Sequence, residues 1–346
     1  MAAGLTYVRG LPVWLQHRLP FFYGWVVLTA VCCAGFARQG PAVATLSIFI
    51  EPMTGEFGWS RTSLSAAVSL GGVLAAIASP LLGPILDRRG ARVMLCVAVL
   101  VTGMCALLLS LTQSLIVFIL LFCIARMSFA SPFELGIYGA VNNWFVRKRG
   151  IATSMATFMQ MMGLMAMPLI AQLTINTHGW RSGWIAIGIT VLIVGFIPVW
   201  LLVVRRPEDM GIVPDGTDQT GKEIAQDSPG SPSEPAFTRA QAVRTGTFWL
   251  LSLYTLLVYP VQAGVSLHQV PHLIERGIDP TIAATIIGVF SLLSAISGLA
   301  FGAFIRHLGV RLSLMVTALF LALSAVVMVW ITQSWHGYVA AALFGM

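Results

Sequence analysis

Long apolar runs alternate with short polar segments along the whole chain, and this pattern predicts membrane-spanning helices. The runs are about twenty residues long, which at roughly 1.5 Å rise per residue is the length needed to cross a hydrocarbon core of about 30 Å. We therefore predict an all-α membrane protein of about ten spans. They lie at 22–50, 62–86, 91–111, 115–143, 151–175, 182–204, 247–271, 281–304 and 310–332, and the tenth begins near 337.

Composition supports this interpretation and excludes several classes of protein. Only 10% of the 346 residues are charged, whereas soluble domains average about 25%. The net charge of +7 is spread between spans rather than gathered in a patch, so no nucleic-acid partner is predicted. The five cysteines lie inside apolar runs, and neither a nucleotide loop nor an HExxH motif is present. We predict a protein that is not an enzyme and needs no cofactor.

Basic residues predict how the chain is oriented in the membrane. When the amino terminus is placed inside, fifteen of the twenty Lys and Arg residues fall on the inner side and three on the outer side. Short cytoplasmic loops carry such an excess of positive charge. We predict a multi-pass protein of the inner (plasma) membrane with a cytoplasmic amino terminus. The remaining two arginines, Arg38 and Arg126, lie within spans.

A polar segment divides the chain into two parts that resemble each other. Residues 205–245 are rich in Pro, Gly, Ser and acidic residues and predict a solvated cytoplasmic linker between a six-helix bundle at 1–204 and a second bundle at 246–346. PMTGEFGWSRT from Pro52 pairs with PHLIERGIDPT from Pro271, and GPILDRRGAR from Gly83 pairs with GAFIRHLGVR from Gly302. Both pairs are 219 residues apart, which indicates duplicated halves. The same offset from Arg126 leads to residue 345, so we predict a second bundle that is incomplete at its carboxyl end.

The loop after the second span carries a recognisable motif. GPILDRRGAR, read as GxxxDRxGxR, resembles the signature of the major facilitator superfamily. The resemblance implies two pseudo-symmetric six-helix bundles and transport by alternating access. We expect Gly83, Asp87, Arg88, Gly90 and Arg92 to form a conformational gate, in which Gly83 permits close helix approach and Asp87 pairs with arginines across a helix seam.

Other motifs narrow the resemblance within that superfamily. YGWVV, EFGWSR, NWFVRKRG, GWRSGW and RRPEDMGIVPDG resemble bacterial relatives of the monocarboxylate transporters, a group that includes the oxalate:formate antiporters. The chain also departs from the animal transporters. Tyr23 stands where they carry an acid, the eighth span has no ionisable residue, and Arg306 matches Asp87 in the second copy. Their proton and anion site therefore cannot be transferred to this chain.

Charged residues inside spans are the main candidates for a substrate site, because each is costly to keep in a bilayer. Arg126 lies near the middle of the fourth span, and Arg38 precedes Pro41 in the first. A guanidinium can hold a carboxylate through two parallel hydrogen bonds. The alternative is that each arginine only binds backbone carbonyls or an acid and fixes the bundle.

Further residues are candidates for proton coupling or substrate contact. Glu134 follows Arg126 by eight residues, on the same side of a continuous helix, and is either a protonatable coupling group or a structural partner of an arginine. His268 is a proton carrier or substrate donor, or else a packing residue. Polar residues in or beside spans either line the substrate route or satisfy neighbouring helices, and they are Tyr138, Asn142, Asn143, Gln160 and Gln262. His268 and His272 lack a third ligand, so no metal site is predicted.

The sequence thus predicts a monomeric secondary transporter in the lipid bilayer for a small mono- or dicarboxylate. Proton symport and anion exchange both remain open. A drug or metabolite exporter of the same fold is disfavoured because the fifth span lacks a GPxxGG run. A transport-inactive fragment or scaffold is a further alternative.

Overall fold

The structure is a computed structural model that describes residues 11–215, 241 and 243–345. Within these ranges the regular elements are all helices, and one isolated bridge pairs Phe145 with Asp215, which confirms the all-α class. The first half contains α1 (Leu11–Arg18), α2 (Gly24–Ala37), α3 (Val43–Phe57), α4 (Arg61–Leu109), α5 (Leu115–Ala130), α6 (Pro132–Trp144), α7 (Arg149–His178), α8 (Trp180–Thr190) and α9 (Ile197–Leu202). The second half contains α10 (Gly246–Glu275), α11 (Pro280–Val329) and α12 (Ser334–Gly345).

Six stretches within the described ranges are long and apolar enough to cross a membrane. The first of them, α4, has 49 residues, which would extend about 74 Å as a straight helix, more than twice a bilayer core. Gly90 interrupts it with φ 80° and ψ 169°. Helix α4 therefore holds the second and third predicted spans, joined at Gly90 by a sharp kink in place of the predicted loop.

The first predicted span is broken in its middle. Helix α2 ends at Ala37, residues 38–41 form turns, and Ala42 is extended before α3 begins. The hydroxyl of Thr45 donates a hydrogen bond of 2.9 Å to the carbonyl of Gln39, and both residues are buried. This bond satisfies one of the carbonyls that the break leaves without a helical partner.

The fourth predicted span is also broken, although the sequence predicted one continuous helix. Ser131 has φ −129° and ψ −73°, and Pro132 begins α6 directly after it. Proline suits the first turn of a helix, because its missing N–H would have no helical partner there. Arg126 and Glu134 consequently lie on two separate helices.

The backbone keeps the 219-residue register of the two halves. Gly58 and Gly277 both have positive φ and are 219 residues apart, as are Gly90 and Gly309. Helices α4 and α11 begin at positions with the same separation, and so do α5 and α12. The repeat inferred from short sequence matches therefore extends over the described part of the second half.

The motifs YGWVV and NWFVRKRG meet at one end of the first bundle. We call this end, which holds Arg88, Arg89, Lys148 and Arg205, the basic face. The aromatic rings of Tyr23 and Trp144 have centroids 5.8 Å apart, and those of Trp25 and Phe145 are 5.2 Å apart. The Tyr23 hydroxyl donates to the carbonyl of Leu202 at 2.9 Å. These strings therefore build a packed aromatic end of the bundle, away from its middle.

The motifs EFGWSR and GWRSGW meet at the other end of the first bundle, which we call the opposite face. The Phe49 and Trp184 rings stack with centroids 4.0 Å apart. Glu56 accepts hydrogen bonds from the Trp180 indole and the Arg181 guanidinium, and forms an ion pair of 2.8 Å with the latter. The hydrogen bonds, that from Trp180 above all, lower the pKa of the Glu56 carboxyl below its usual 4.5.

The first part of the predicted linker packs against the first bundle. We call residues 203–215 the strap. The Asp215 carboxylate accepts hydrogen bonds from the backbone N–H of Val146 at 2.6 Å and of Lys148 at 2.9 Å, just before α7. The Trp144 indole donates to the carbonyl of Val204 at 3.2 Å. Residues 203–215 thus make specific contacts with the first bundle, and the linker at 205–245 stays a prediction, since residues 216–240 lie outside the described part of the chain.

Candidate functional site

A polar cavity of about 380 Å³ lies between the two halves, close to the two helix breaks. The first, fourth and fifth spans line one side, and the seventh and eighth line the other. The residues that bear on its chemistry carry charges, amides, hydroxyls or an aromatic ring, and they are Arg38, Arg126, Phe129, Glu134, Tyr138, Thr157, Gln160, Tyr259, Gln262, Ser266, Gln269 and Ser294. The structure thus brings both intramembrane arginines to one cavity.

Arg38 reaches this cavity because α2 ends immediately before it. Its Nε donates to the carbonyl of Phe129 at 2.9 Å, and its Nη1 donates to the Gln160 side-chain oxygen. Its Nη2 lies 2.7 Å from a carboxylate oxygen of Glu134. Each guanidinium nitrogen of Arg38 therefore already has a partner.

Arg126 differs sharply in its surroundings. Its Nε and Nη1 are buried and have no hydrogen-bond partner among the described residues. Its side-chain stem packs against Gly71 of α4, where an added Cβ would come within 2.6 Å of the Arg126 Cβ. Buried donors without partners are rare in proteins and destabilising by roughly 1–3 kcal/mol each. A ligand with acceptor oxygens would remove this penalty.

Phe129 lies next to both arginines, and the sequence analysis missed it. The guanidinium carbons of Arg38 and Arg126 are each 4.1 Å from its ring centroid, so they are separated by no more than twice that distance. Cations are attracted to the face of an aromatic ring. The signal in the sequence was only a phenylalanine three residues after Arg126, which is typical of any apolar span.

Glu134 is the partner of Arg38 and not of Arg126. The predicted shared helix face with Arg126 is absent because Ser131 and Pro132 break the span. The side chain of Glu134 is 41% exposed, whereas that of Arg38 is 11% exposed. Both residues line the cavity, and Glu134 is the more exposed member of the pair.

The predicted polar candidates form a chain that leads away from Arg38. Gln160 donates to the Tyr138 hydroxyl at 3.4 Å, and that hydroxyl lies 3.4 Å from the hydroxyl of Thr157. Gln262 also lines the cavity. Tyr138 and Gln160 thus both line the cavity and satisfy each other, so the two alternatives weighed for them from the sequence hold together.

His268 does not join this group. Its side chain is exposed, and neither cavity described here includes it. Its neighbour Gln269 is buried and lines the cavity instead. The ring of His272 lies 3.0 Å from the carbonyl of Met328, as a packing residue would. The prediction that His268 contacts substrate or carries the proton therefore finds no support in this geometry.

The predicted gate has a different construction from the one expected. An added Cβ at Gly83 would meet nothing within 4 Å among the described residues, so the expected close helix approach is not found there. Asp87 is exposed, and no described residue forms an ion pair with it. Its backbone carbonyl accepts from Arg205 at 3.2 Å, and Arg92 donates to the carbonyl of Trp200 at 2.6 Å. Arg88 is exposed.

The close approach occurs at Gly90. There an added Cβ would lie 2.4 Å from the Cγ of Arg205. The motif therefore ties the kink of α4 to the end of the sixth span and the start of the strap. Its role as a conformational gate stays a prediction.

A second cavity of about 580 Å³ continues from the first toward the basic face. Thr157, Gln262 and Ser294 line both cavities, and Arg149 lies at the far end of the second. The arginines are therefore connected to the basic face by a route with hydroxyl and amide groups. No group of three or more His, Cys, Asp or Glu side chains that could hold a metal occurs in the described part of the chain.

The sequence matches a known family. The sequence model of the family described as Major Facilitator Superfamily matches residues 19–346 of this chain. The chain belongs to this family. The polytopic membrane architecture read from the hydropathy pattern is thereby confirmed, and so is the superfamily inferred from GPILDRRGAR.

Comparison with curated proteins and solved structures adds more specific similarities. The chain is 28% identical to the membrane sensor protein UhpC of Salmonella typhimurium over 226 residues, covering 64% of this chain and 50% of that protein. It is 25% identical to UhpC of Escherichia coli over 249 residues, covering 70% and 56%. The chain thus spans about half the length of these relatives.

Among solved structures, the xylose transporter XylE from E. coli, in a partially occluded inward-open conformation, superposes with a TM-score of 0.64. It is 14% identical, and the match covers 93% of this chain and 82% of XylE. The nucleoside transporter NupG superposes with a TM-score of 0.63 at 13% identity, covering 94% and 79%. At this level of identity the similarity shows the fold alone.

Proposed function

We propose that the chain is a secondary transporter that binds a small organic anion, a mono- or dicarboxylate, in the central cavity and moves it by alternating access. The observation that carries this proposal is Arg126, which lines the cavity between the two halves and whose Nε and Nη1 are buried without a partner among the described residues. A carboxylate is the acceptor that a guanidinium fork fits best. Membership of a superfamily with transporters of this fold supports the transport step.

The finer features of the proposal rest on the sequence. We place the protein in the inner (plasma) membrane, with the basic face and the amino terminus in the cytoplasm, because of the excess of Lys and Arg on that face. The similarity to monocarboxylate-transporter-like and oxalate:formate-antiporter-like proteins and the monomeric state stay predictions. Proton symport through Glu134 and anion exchange without a proton both suit the observed Arg38–Glu134 pair.

Uptake into proteoliposomes tests this proposal. The chain is reconstituted, and uptake of labelled formate, oxalate, lactate and pyruvate is compared with that of Arg126→Gln and Arg126→Lys. Because hydrogen bonds to charged groups are worth about 1.5–3 kcal/mol each, we expect Arg126→Gln to lower uptake by roughly 10- to 100-fold. Arg126→Lys keeps the charge but loses the fork, so we expect an intermediate loss.

The matched control is Arg89→Gln, since Arg89 is an exposed arginine of the basic face outside both cavities. It should transport as the parent does. Undiminished uptake by Arg126→Gln would rule out the proposed site, and a parent that takes up none of the four anions would rule out carboxylate transport.

A second candidate function is ligand sensing, and the names of the two curated relatives favour it. A sensor would bind the anion at the same arginines but would not carry it across the membrane. The two functions are separated by measuring ligand-induced thermal stabilisation beside uptake. Stabilisation by a carboxylate without any uptake would identify a sensor, whereas both together would identify a transporter.

A further inference from the structure

The charged residues that line the central cavity, within the described part of the chain, are Arg38, Arg126 and Glu134. Two are cationic and one is anionic, so together they carry one net positive charge. Since an uncompensated charge is costly to hold away from water, a bound ligand is favoured when it cancels this excess. The ion-pairing state of each arginine then decides where the negative charge of the ligand can lie.

The two arginines are not equivalent. Arg38 is fully engaged, because its three guanidinium nitrogens contact Phe129, Gln160 and Glu134. Arg126 retains two buried nitrogens without a partner. One carboxylate of a ligand can therefore accept hydrogen bonds from Arg126. A second carboxylate can bind Arg38 only if Glu134 no longer pairs with it.

Glu134 also competes with a ligand for Arg38. Both residues line the cavity, and their charged atoms lie 2.7 Å apart. A second carboxylate of a ligand that approached Arg38 would lie beside the Glu134 carboxylate, and two adjacent negative charges repel. An ionised Glu134 therefore excludes ligands with two negative charges from this end of the cavity.

We propose that Glu134 sets the charge number of the ligand. With Glu134 ionised, the site accepts a monocarboxylate at Arg126. With Glu134 neutral, Arg38 is released and the site accepts a dicarboxylate that spans both arginines, which the Phe129 ring holds near each other. This inference rests on the proposed function, because it assumes that a carboxylate binds at Arg126.

The proposal has a consequence for coupling. When Glu134 is ionised and a monoanion is bound, the charges of Arg38, Arg126, Glu134 and the ligand sum to zero. When Glu134 is protonated and a dianion is bound, the sum is zero again. A dianion would therefore enter together with one proton, and a monoanion with none. The titratable and charged groups that face Glu134 in the cavity are Arg38, Arg126, Tyr138 and Tyr259.

The test compares affinities for lactate and oxalate at one pH and one ionic strength. Binding to the detergent-solubilised full chain is measured by titration calorimetry for the parent, Glu134→Gln and Glu134→Asp. We expect Glu134→Gln to shift the ratio of affinities toward oxalate by tenfold or more, since one charge-assisted hydrogen bond is gained and one repulsion removed. Glu134→Asp keeps the charge and should keep the preference of the parent for lactate.

Two further variants keep the result decisive. Glu51→Gln removes an exposed carboxylate outside both cavities and should leave the ratio unchanged. The double variant Arg38→Gln with Glu134→Gln removes both members of the ion pair together, so it leaves no buried charge unpaired if Glu134→Gln alone does not fold. It should not shift the ratio of affinities toward oxalate, because Arg38 is no longer there to hold the second carboxylate.

The outcomes separate the two proposals. A parent that binds neither anion contradicts the proposed function. A parent that binds lactate while Glu134→Gln keeps the same lactate-to-oxalate ratio, or a double variant that gains oxalate affinity, overturns the charge selection by Glu134 and leaves the proposed function standing.

Discussion

The two copies of the repeat have matching backbones but different chemistry at the positions that face the cavity. Pro41 and Pro260 occupy equivalent positions, 219 residues apart, yet the first copy breaks at residues 38–42 and the second runs unbroken from Gly246 to Glu275. The position equivalent to Arg38 holds Leu257, which is 62% exposed. Proline alone therefore does not determine where a span breaks.

Two other differences account for the break. Thr45 donates to the Gln39 carbonyl, and its equivalent is Gly264, which has no side chain to do so. Gly40 is packed so closely that an added Cβ would lie 3.0 Å from Val191, and its equivalent is Tyr259. The break thus needs a small residue where the helices meet and a hydroxyl to satisfy the freed carbonyl.

The contact between the second and fourth spans also differs between the two copies, because the small residue and the large residue change places. In the first copy Gly71 makes room for the stem of Arg126. In the second copy the equivalent positions hold Phe290 and Gly345, and here the small residue is on the other helix: an added Cβ at Gly345 would lie 2.8 Å from the Phe290 carbonyl oxygen. The same close helix contact therefore packs a glycine against Arg126 in the first half and a glycine against Phe290 in the second half.

The largest expected effect comes from the kink glycines. Gly90 and Gly309 both have φ near 80°, a region that residues with a Cβ avoid, so each Ala substitution should destabilise the fold by about 1–3 kcal/mol. Only Gly90 is also packed against Arg205, whose bond to the Asp87 carbonyl would be strained. Thermal unfolding in detergent should therefore show a larger loss for Gly90→Ala than for Gly309→Ala.

Gly83→Ala is the control for this pair, because Gly83 lies in the same helix, in open space and without a positive φ. It should leave the melting temperature unchanged or raise it, since alanine favours a helix over glycine by about 1 kcal/mol. Equal losses for Gly90→Ala and Gly309→Ala would show that the strap contact adds nothing to the first copy.

An intermediate effect is expected at the break of the first span. Thr45→Val keeps the shape of the side chain but leaves the buried Gln39 carbonyl with the Ala42 N–H alone, which donates to it at 3.1 Å, so the free energy of unfolding should fall by about 0.5–1.5 kcal/mol. Carboxylate binding should weaken as well, because the break positions Arg38. Thr255→Val, at an exposed hydroxyl of α10, should change either measurement only slightly. A Thr45→Val chain as stable as the parent would mean that the hydroxyl does not maintain the break.

The smallest effect concerns two equivalent glutamates at the opposite face. Glu56 is held by Trp180 and Arg181, whereas Glu275 lies 3.9 Å from Arg61 with both side chains well exposed. Glu56→Gln should lower the melting temperature slightly, and Glu275→Gln should not change it, because exposed ion pairs contribute little.

The Glu56 effect should depend on pH. Its carboxyl has a lowered pKa in the folded chain, so its stabilisation is complete above the usual 4.5 and is lost as the pH falls through the lowered value. The difference in melting temperature between the parent and Glu56→Gln should therefore shrink in acid. A difference that stays constant from neutral to acidic pH would contradict the assigned contact.

The sequence was sufficient for the features that depend on local pattern. Span positions follow from apolar runs, and the repeat follows from two aligned sequence segments. The intramembrane charges predicted Arg38, Arg126 and Glu134, which the structure brings to one cavity. The features that depend on tertiary contacts were not predictable. The helical spacing of Arg126 and Glu134 assumed a continuous helix, and nothing in the local pattern distinguishes Pro132 as the first residue of a new one.

The local pattern also did not predict which residue of α10 faces the cavity, or which residue binds the backbone N–H groups before α7. His268 and Gln269 are adjacent on one helix, so which of them faces the cavity depends on how α10 packs against its neighbours. Asp215 belongs to a polar stretch that resembles a solvated linker in composition. Its partners are the backbone N–H groups before α7, far away along the chain, and only the folded structure brings them together.

The strap also extends the first bundle beyond its last helix. It connects the kink of α4, the turn before α7 and the end of the sixth span through the bonds of Arg205, Asp215 and Val204. The first bundle therefore reaches to Asp215 rather than to the last residue of the sixth span, and a cut placed directly after Leu202 would sever these contacts.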